Sequence, residues 1–90
     1  MHIFISYSKK DEDKRNTLLN ALKEIGFEGD KVWFDDSGLE YGDIWLTEID
    51  NQLAQSFAVI VIVTKASRKS HSVTYEWARA LGSSIPVIGI

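Results

Sequence analysis

The sequence predicts an open α/β fold, a parallel sheet of four strands with three helices packed on its two faces. Short runs of β-branched and aromatic residues alternate along the chain with segments whose apolar residues recur every three or four positions. The connections are short and polar, and such alternation favours parallel strands joined by helical crossovers. Because the chain has 90 residues, we expect one domain over residues 1–90.

The first strand and the first helix are expected before residue 27. His2–Tyr7 is short and mostly apolar, which is typical of a buried strand. A helix is predicted from Asp13 to Gly26, with the glycine in the stop position just past its end. Its apolar face would consist of four residues spaced three and four apart: Leu18, Leu19, Leu22 and Ile25.

A second strand and a second helix are predicted in the middle of the chain. Val32–Phe34 reads as a short strand, and residues 35–42 form a loop with two glycines. Asp43 is the expected N-cap of the second helix, because its side chain can accept a hydrogen bond from a free backbone N–H. The apolar residues of this helix again follow helical spacing: Trp45, Leu46, Ile49 and Leu53.

The last third of the chain predicts two strands around one helix. Phe57–Val63 is a continuous apolar run, which suits a central strand buried on both faces. Residues 64–71 are polar and basic and are predicted as a loop. The third helix would bury Val73, Trp77 and Leu81 and end at Gly82. Residues 86–90 start a fourth strand with no helix after it, so we expect a fragment of a longer domain.

Composition restricts the functions open to this chain. The formal net charge is −3, which argues against a dedicated nucleic-acid partner. The absence of cysteine excludes disulfides, thiol nucleophiles and cysteine-ligated zinc. The longest apolar run, Phe57–Val63, is too short to cross a membrane, and no secretory signal is visible at the start. We therefore expect a cytoplasmic location with no membrane or nucleic-acid partner.

Several familiar ligand sites of open α/β sheets are missing. Such sheets bind ligands outside the carboxyl ends of their strands, yet the first and third strands lack the terminal acids of a phosphoacceptor domain. No glycine-rich phosphate loop follows the first strand. His71 stands between two serines, but adjacency in sequence is not the geometry of a catalytic triad. Asp35, Asp36 and Asp43 are better explained as turn acids and a helix cap than as ligands, so no metal site is expected.

Three stretches of sequence carry a family resemblance. They are Ile3–Ser8, then Trp33–Trp45 with its Gly-Asp-Ile-Trp ending, and Ser70–Leu81. In this order and spacing the chain resembles a TIR (Toll/interleukin-1 receptor) domain of the bacterial kind. The resemblance implies a flavodoxin-like fold with a five-stranded parallel sheet, so that the last strand and last helices of the domain are missing here.

The resemblance implies an enzymatic function in bacterial defence or signalling. Many bacterial TIR domains cleave NAD between ribose and nicotinamide, and Glu76 stands at the position of their catalytic glutamate. One carboxylate can stabilise the positive charge that develops on the ribose, while nicotinamide leaves as a neutral base. On this interpretation the chain is an NAD nucleosidase with NAD as its substrate, and no cofactor is needed. We expect the Glu76 side chain to be partly exposed on its helix.

Three further residues are predicted to contact the nucleotide. Ser6 and Tyr7 lie at the carboxyl end of the first strand, where the crevice is expected. Ser72 precedes Glu76 by one helical turn and therefore faces the same crevice. It stands where the family enzymes have a tryptophan that helps to hold the nucleotide. The alternative role for Ser72 is the N-cap of the third helix.

The alternative function is a non-catalytic interaction module. Receptor and adaptor TIR domains self-associate through a segment called the BB loop, which corresponds to residues 36–43. This loop has Tyr41 where many family members have a proline. As a third possibility, an incomplete domain neither cleaves NAD nor assembles. The candidate contact residues are Asp36, Gly38, Leu39, Tyr41, Gly42 and Asp43.

Overall fold

A four-stranded parallel sheet forms the centre of the computed structural model, which describes residues 1–36 and 42–90. The strand order is β2-β1-β3-β4, and every neighbouring pair is parallel. The predicted α/β architecture is thereby confirmed, with strand bounds within two residues of those expected. The strands are β1 (His2–Ser6), β2 (Val32–Phe34), β3 (Ser56–Val61) and β4 (Val87–Gly89).

The described residues form four α-helices, one more than the sequence predicts. They are α1 (Glu12–Glu24), α2 (Asp43–Ala54), α3 (Lys65–Lys69) and α4 (His71–Gly82).

The additional helix, α3, lies within residues 64–71, which the sequence predicts as a loop. Thr64 Oγ1 accepts from the Ser67 backbone N–H at 3.0 Å, and Ser67 Oγ accepts from the Thr64 N–H at 2.8 Å. This reciprocal capping box satisfies two backbone donors at the helix start. The segment is therefore helical because of its caps, whereas the prediction relied on apolar spacing, which this segment lacks.

Helix α1 covers one face of the sheet. Ile3 and Ile5 of β1 and Ile62 after β3 pack there against Leu22, with Leu18 and Leu19 half-buried at the edge. Ile25, which the spacing places on the same apolar face, is 71% exposed. The prediction is wrong there because the helix ends at Glu24.

Helices α2 and α4 cover the opposite face of the sheet. Successive residues of a strand point to opposite faces, so Phe4 and Ser6 both point towards these helices while Ile3 and Ile5 point towards α1. Phe4 is fully buried in the larger core, which also contains Trp45, Ile49, Leu53, Val59, Val61, Val73 and Ala80. The same alternation directs the hydroxyl of Ser6 towards α4.

The buried stripe of α4 differs from the predicted one. Val73, Glu76 and Ala80 are buried, whereas Trp77 is only half-buried and Leu81 is 56% exposed. Positions i, i+3 and i+7 share one helix face, and here that face carries a carboxyl group into the interior. The prediction that Leu81 belongs to the core is wrong.

The N-caps of α2 and α4 also differ from those expected. Gly42 is the residue before α2, and Asp43 occupies the first helical turn, where its negative charge is favourable near the helix N-terminus. Ser70 caps α4, because its Oγ accepts from the Val73 backbone N–H at 3.2 Å. The alternative role of Ser72 as this cap is therefore wrong.

Two glycines give a matched test of the backbone. Gly26 has φ +96°, as its predicted stop position requires, whereas Gly82 ends α4 without positive φ. An added methyl group would meet no atom within 4 Å at either site. Gly26→Ala should lower the free energy of unfolding by about 1 kcal/mol, the cost of left-handed backbone with a Cβ. Gly82→Ala should raise it by about 0.5 kcal/mol, because alanine restricts the unfolded chain. Urea unfolding measures both changes, and shifts of the same sign would contradict this description of the two helix ends.

Candidate functional site

A cleft of about 370 Å³ opens at the carboxyl ends of β1 and β3. The chain leaves β1 towards one face of the sheet and leaves β3 towards the other, so the two following segments diverge and leave a crevice. Residues 7–10 line one side of it and residues 69–72 line the other. Asp35, which follows β2, and Glu76 of α4 also line the cleft.

Glu76 is buried at this cleft, with 4% of its surface exposed. The expectation of a partly exposed helix glutamate is wrong, because residue 76 shares the helix face that packs Val73 and Ala80 into the core. Ser6 Oγ donates a hydrogen bond of 2.7 Å to Glu76 Oε1. The structure thus joins two of the predicted site residues, 70 positions apart in sequence, through one buried contact.

Burial raises the pKa of the Glu76 carboxyl to about 8, because the charged form loses its hydration. The hydrogen bond from Ser6 lowers this pKa, since it stabilises the carboxylate, and the nearby negative charge of Asp35 raises it. The Asp35 carboxylate is itself held by Trp45, whose Nε1–H donates to Oδ2 at 2.6 Å. Glu76 is therefore mostly protonated at neutral pH in the free protein.

Tyr7 lines the cleft but is held firmly by its neighbours. Its hydroxyl donates to the Asp35 backbone carbonyl at 3.3 Å and accepts from Arg15 Nη1 at 2.8 Å. The Arg15 guanidinium also lies 5.1 Å from the Tyr7 ring centroid and 4.5 Å from that of Phe34, within cation–π range. These contacts tie the carboxyl ends of β1 and β2 together. No sequence pattern signalled this role of Arg15.

Ser72 lies on the cleft, half-buried in the first turn of α4. Its Oγ is 3.0 Å from Ser70 Oγ, so the two hydroxyls share a hydrogen bond. Of the four predicted contact and catalytic residues, Tyr7, Ser72 and Glu76 line the cleft, and Ser6 lies behind Glu76.

A partly buried hydrogen bond holds the two sides of the cleft together. Thr64 Oγ1 donates to Asp11 Oδ2 at 2.5 Å, across 53 positions of sequence. Asp11 ends the turn that follows β1, and Thr64 caps α3 after β3. Because the bond joins the segments that follow β1 and β3, it fixes the separation of the walls.

Three lysines that the sequence patterns do not single out also line the cleft. Lys9 and Lys10 lie in a single 3-10 turn after β1, and Lys69 is the last residue of α3. All three are exposed. Lys9 and Lys10 closely follow the carboxyl end of β1, which is the signal that could have identified them, whereas only the fold brings Lys69 to the cleft. We call Lys9, Lys10 and Lys69 the basic rim.

The predicted BB loop is only partly described. Asp36, Gly42 and Asp43 are exposed, and Ile44 beside them is 80% exposed. Gly38, Leu39 and Tyr41 lie outside the described residues. In the parts of the chain that the structure describes, no group of three or more acidic or histidine side chains is placed to hold a metal ion. No helix within those same parts is long and apolar enough to span a membrane.

The buried carboxyl predicts a specific dependence of stability on pH. The folded-state pKa of Glu76, about 8, lies above the ordinary value of 4.5, so the folded chain binds more protons than the unfolded chain between these limits. Its contribution to the free energy of unfolding therefore falls as pH rises from about 4.5 to 8. Glu76→Gln removes the ionisation. The free energy of unfolding of this variant, relative to that of wild type, should therefore increase by roughly 2–4 kcal/mol between pH 5 and pH 8.

Urea unfolding at several pH values measures this difference. Glu24→Gln is the control, because Glu24 is an exposed glutamate at the end of a helix. It should follow the wild-type pH profile. A Glu76→Gln profile that runs parallel to wild type between pH 5 and 8 would contradict the assignment of a buried acid.

Comparisons with known proteins identify the fold, first by structure and then by sequence. The crystal structure of the TIR domain of the Toll-related receptor TRR-2, from the lower metazoan Hydra magnipapillata, is similar with a TM-score of 0.78 at 20% identity. The match covers 97% of this chain and 66% of that chain, so this chain spans just under two thirds of that domain's length. No curated protein matches the chain in sequence.

A family model extends the comparison to sequence. The model described as TIR domain matches residues 3–89, which include both Ser6 and Glu76 and all of the four strands except His2 at the start of β1. The similarity in fold and the match along nearly the whole chain agree with the resemblance seen in the three sequence stretches. The chain belongs to the TIR domain family.

Proposed function

We propose that this TIR domain is an NAD glycohydrolase, which cleaves the bond between nicotinamide and ribose with Glu76 as the catalytic residue. The observation that carries the proposal is the buried Glu76 carboxyl, bonded to Ser6 and lining the cleft at the ends of β1 and β3. A buried carboxyl group without a positively charged partner lowers the free energy of unfolding when it ionises. Acids with strongly raised pKa values in clefts are concentrated at active sites.

The charge at Glu76 suits a cationic reaction centre. The nicotinamide ring of NAD carries a positive charge, and the ribose gains positive character as the bond breaks. The negative charge of Asp35 raises the pKa of Glu76. A cation bound beside Glu76 lowers this pKa and so favours the ionised carboxyl. Because water is largely excluded from this carboxylate, its attraction to the developing charge is stronger than in solution.

The reaction needs only one acidic side chain. The bond from C1′ to the ring nitrogen breaks, both electrons go to that nitrogen, and nicotinamide leaves as a neutral base without a proton. Water then adds to C1′ and loses a proton. The Glu76 carboxylate is the proposed acceptor, since its raised pKa makes it a competent base near neutral pH.

Ser6 has a positioning role in this proposal. Its hydroxyl donates to Oε1 of Glu76 from the end of a strand that is paired on both sides. Ser6 therefore fixes the orientation of the carboxyl relative to the cleft. Its hydrogen bond also favours the ionised form that the reaction requires.

Self-association is the second candidate function. TIR domains generally self-associate, and the observation that favours it here is Ile44, a large apolar side chain exposed at the start of α2 beside the BB loop. Isolated exposed apolar residues are common on protein surfaces, so this support is weaker than that for the acid site. The two functions are compatible, because assembly can complete a site between protomers.

Release of nicotinamide from NAD tests the proposed function. Glu76→Gln should lower the rate of release at least about 100-fold, comparable to removing one group that stabilises charge in a transition state. The conservative amide keeps the acceptor for Ser6, so the fold is preserved. For wild type, kcat/KM should rise with pH up to about 8, as the free carboxyl ionises.

Glu24→Gln is again the matched control and should stay within about twofold of wild type, because an exposed helix glutamate lies outside the cleft. Activity of Glu76→Gln within threefold of wild type would overturn the catalytic assignment. A wild-type protein that releases no nicotinamide would favour the interaction module.

A further inference from the structure

We propose that the cleft holds its dinucleotide mainly through the phosphate groups, and that it prefers NADP, which carries an additional 2′-phosphate, over NAD. The choice of a dinucleotide rests on the proposed function. The preference rests on the basic rim, Lys9, Lys10 and Lys69, and on the scarcity of aromatic surface in the cleft.

The basic rim places positive charge on both sides of the cleft. Lys9 and Lys10 come from the turn after β1, and Lys69 comes from the end of α3. The rim lysines are exposed, whereas the acids of the cleft lie deeper: Asp35 is half-buried and Glu76 is buried. A dinucleotide has the matching distribution of charge, with a cationic nicotinamide ribose at one end and anionic phosphates further along.

The rim lysines are available for an anion. In the described part of the chain, the ion pairs are formed by Arg15, Lys23 and Arg79 with nearby carboxylates, and none includes a lysine of the rim. A lysine ammonium is a compact charge on a flexible stem, which can reach a phosphate without a fixed geometry. Three such charges exceed the two negative charges of the NAD diphosphate, so a further phosphate can be accommodated.

Stacking contributes little to binding here. Among the described residues of the cleft, aromatic surface comes only from Tyr7 and His71, since residue 72 is a serine. The Tyr7 ring is already covered by the Arg15 guanidinium and lies edge-on to Phe34. A site that binds by charge differs measurably from one that binds by stacking, because salt weakens exposed charge interactions.

Titration calorimetry with ADP-ribose and ADP-ribose 2′-phosphate tests the preference. Both compounds keep the phosphates but lack the bond that the enzyme would cleave. The 2′-phosphate should bind about fivefold more tightly at 50 mM salt, the effect of one good exposed ion pair. At about 1 M salt, where charges more than about 3 Å apart are screened, the two affinities should become nearly equal.

Variants of the basic rim assign the effect to these residues. The triple variant Lys9→Gln, Lys10→Gln and Lys69→Gln should lose the preference and bind both compounds at least about tenfold more weakly at low salt. Lys31→Gln is the matched control, since Lys31 is an exposed lysine just before β2 and so lies at the opposite end of the sheet. It should bind like wild type.

Three results would overturn the proposal: equal affinities of the two compounds for wild type at low salt, no measurable binding of either, or equal weakening in the triple variant and the control. These outcomes are separate from the nicotinamide assay. A protein that shows the preference but releases no nicotinamide from NAD or NADP supports the phosphate site and overturns the hydrolase. A protein that releases nicotinamide but shows no preference supports the hydrolase and overturns the phosphate site.

Discussion

The hydrogen bond between Ser6 and Glu76 is the interaction on which the candidate site depends. It joins the last residue of β1 to the middle of α4, and so connects the central sheet to the helix that covers it. Phe4 and the apolar residues of α2 and α4 form the core around it. A carboxyl group in this position is unfavourable for stability, because burial opposes its ionisation. The proposed chemistry of the cleft gives this unfavourable burial a functional explanation.

The order and type of most elements could be predicted from the sequence. Apolar spacing predicted α1 and α2, and runs of β-branched residues predicted the strands, because these patterns reflect burial directly. Helix α3 could not be found in this way, since Thr64 and Ser67 form it through caps and not through apolar spacing. The stripe of α4 was misplaced because Leu81 offers the same spacing as a core residue, and only the packing decides which face is buried.

The candidate site could be predicted only in part. Glu76 and Ser72 came from the family resemblance, and Ser6 and Tyr7 came from their place at a strand end. The burial of Glu76 could not be derived locally, since it depends on a contact with Ser6 across 70 positions. Exposed lysines are common, so the basic rim becomes visible only when the fold brings Lys10 and Lys69 to the same cleft. Family membership establishes the fold, and the proposed chemistry is argued from these residues.

The protonation of Glu76 is the most direct test of the account. Carbon NMR of the protein labelled at the glutamate carboxyl, with Glu76→Gln to assign the signal, measures the pKa of this group. The account predicts a pKa near 8, and a still higher pKa in Ser6→Ala, because that variant loses the hydrogen bond that stabilises the carboxylate. A Glu76 signal that titrates near the ordinary value of 4.5, unaffected by Ser6→Ala, would contradict it.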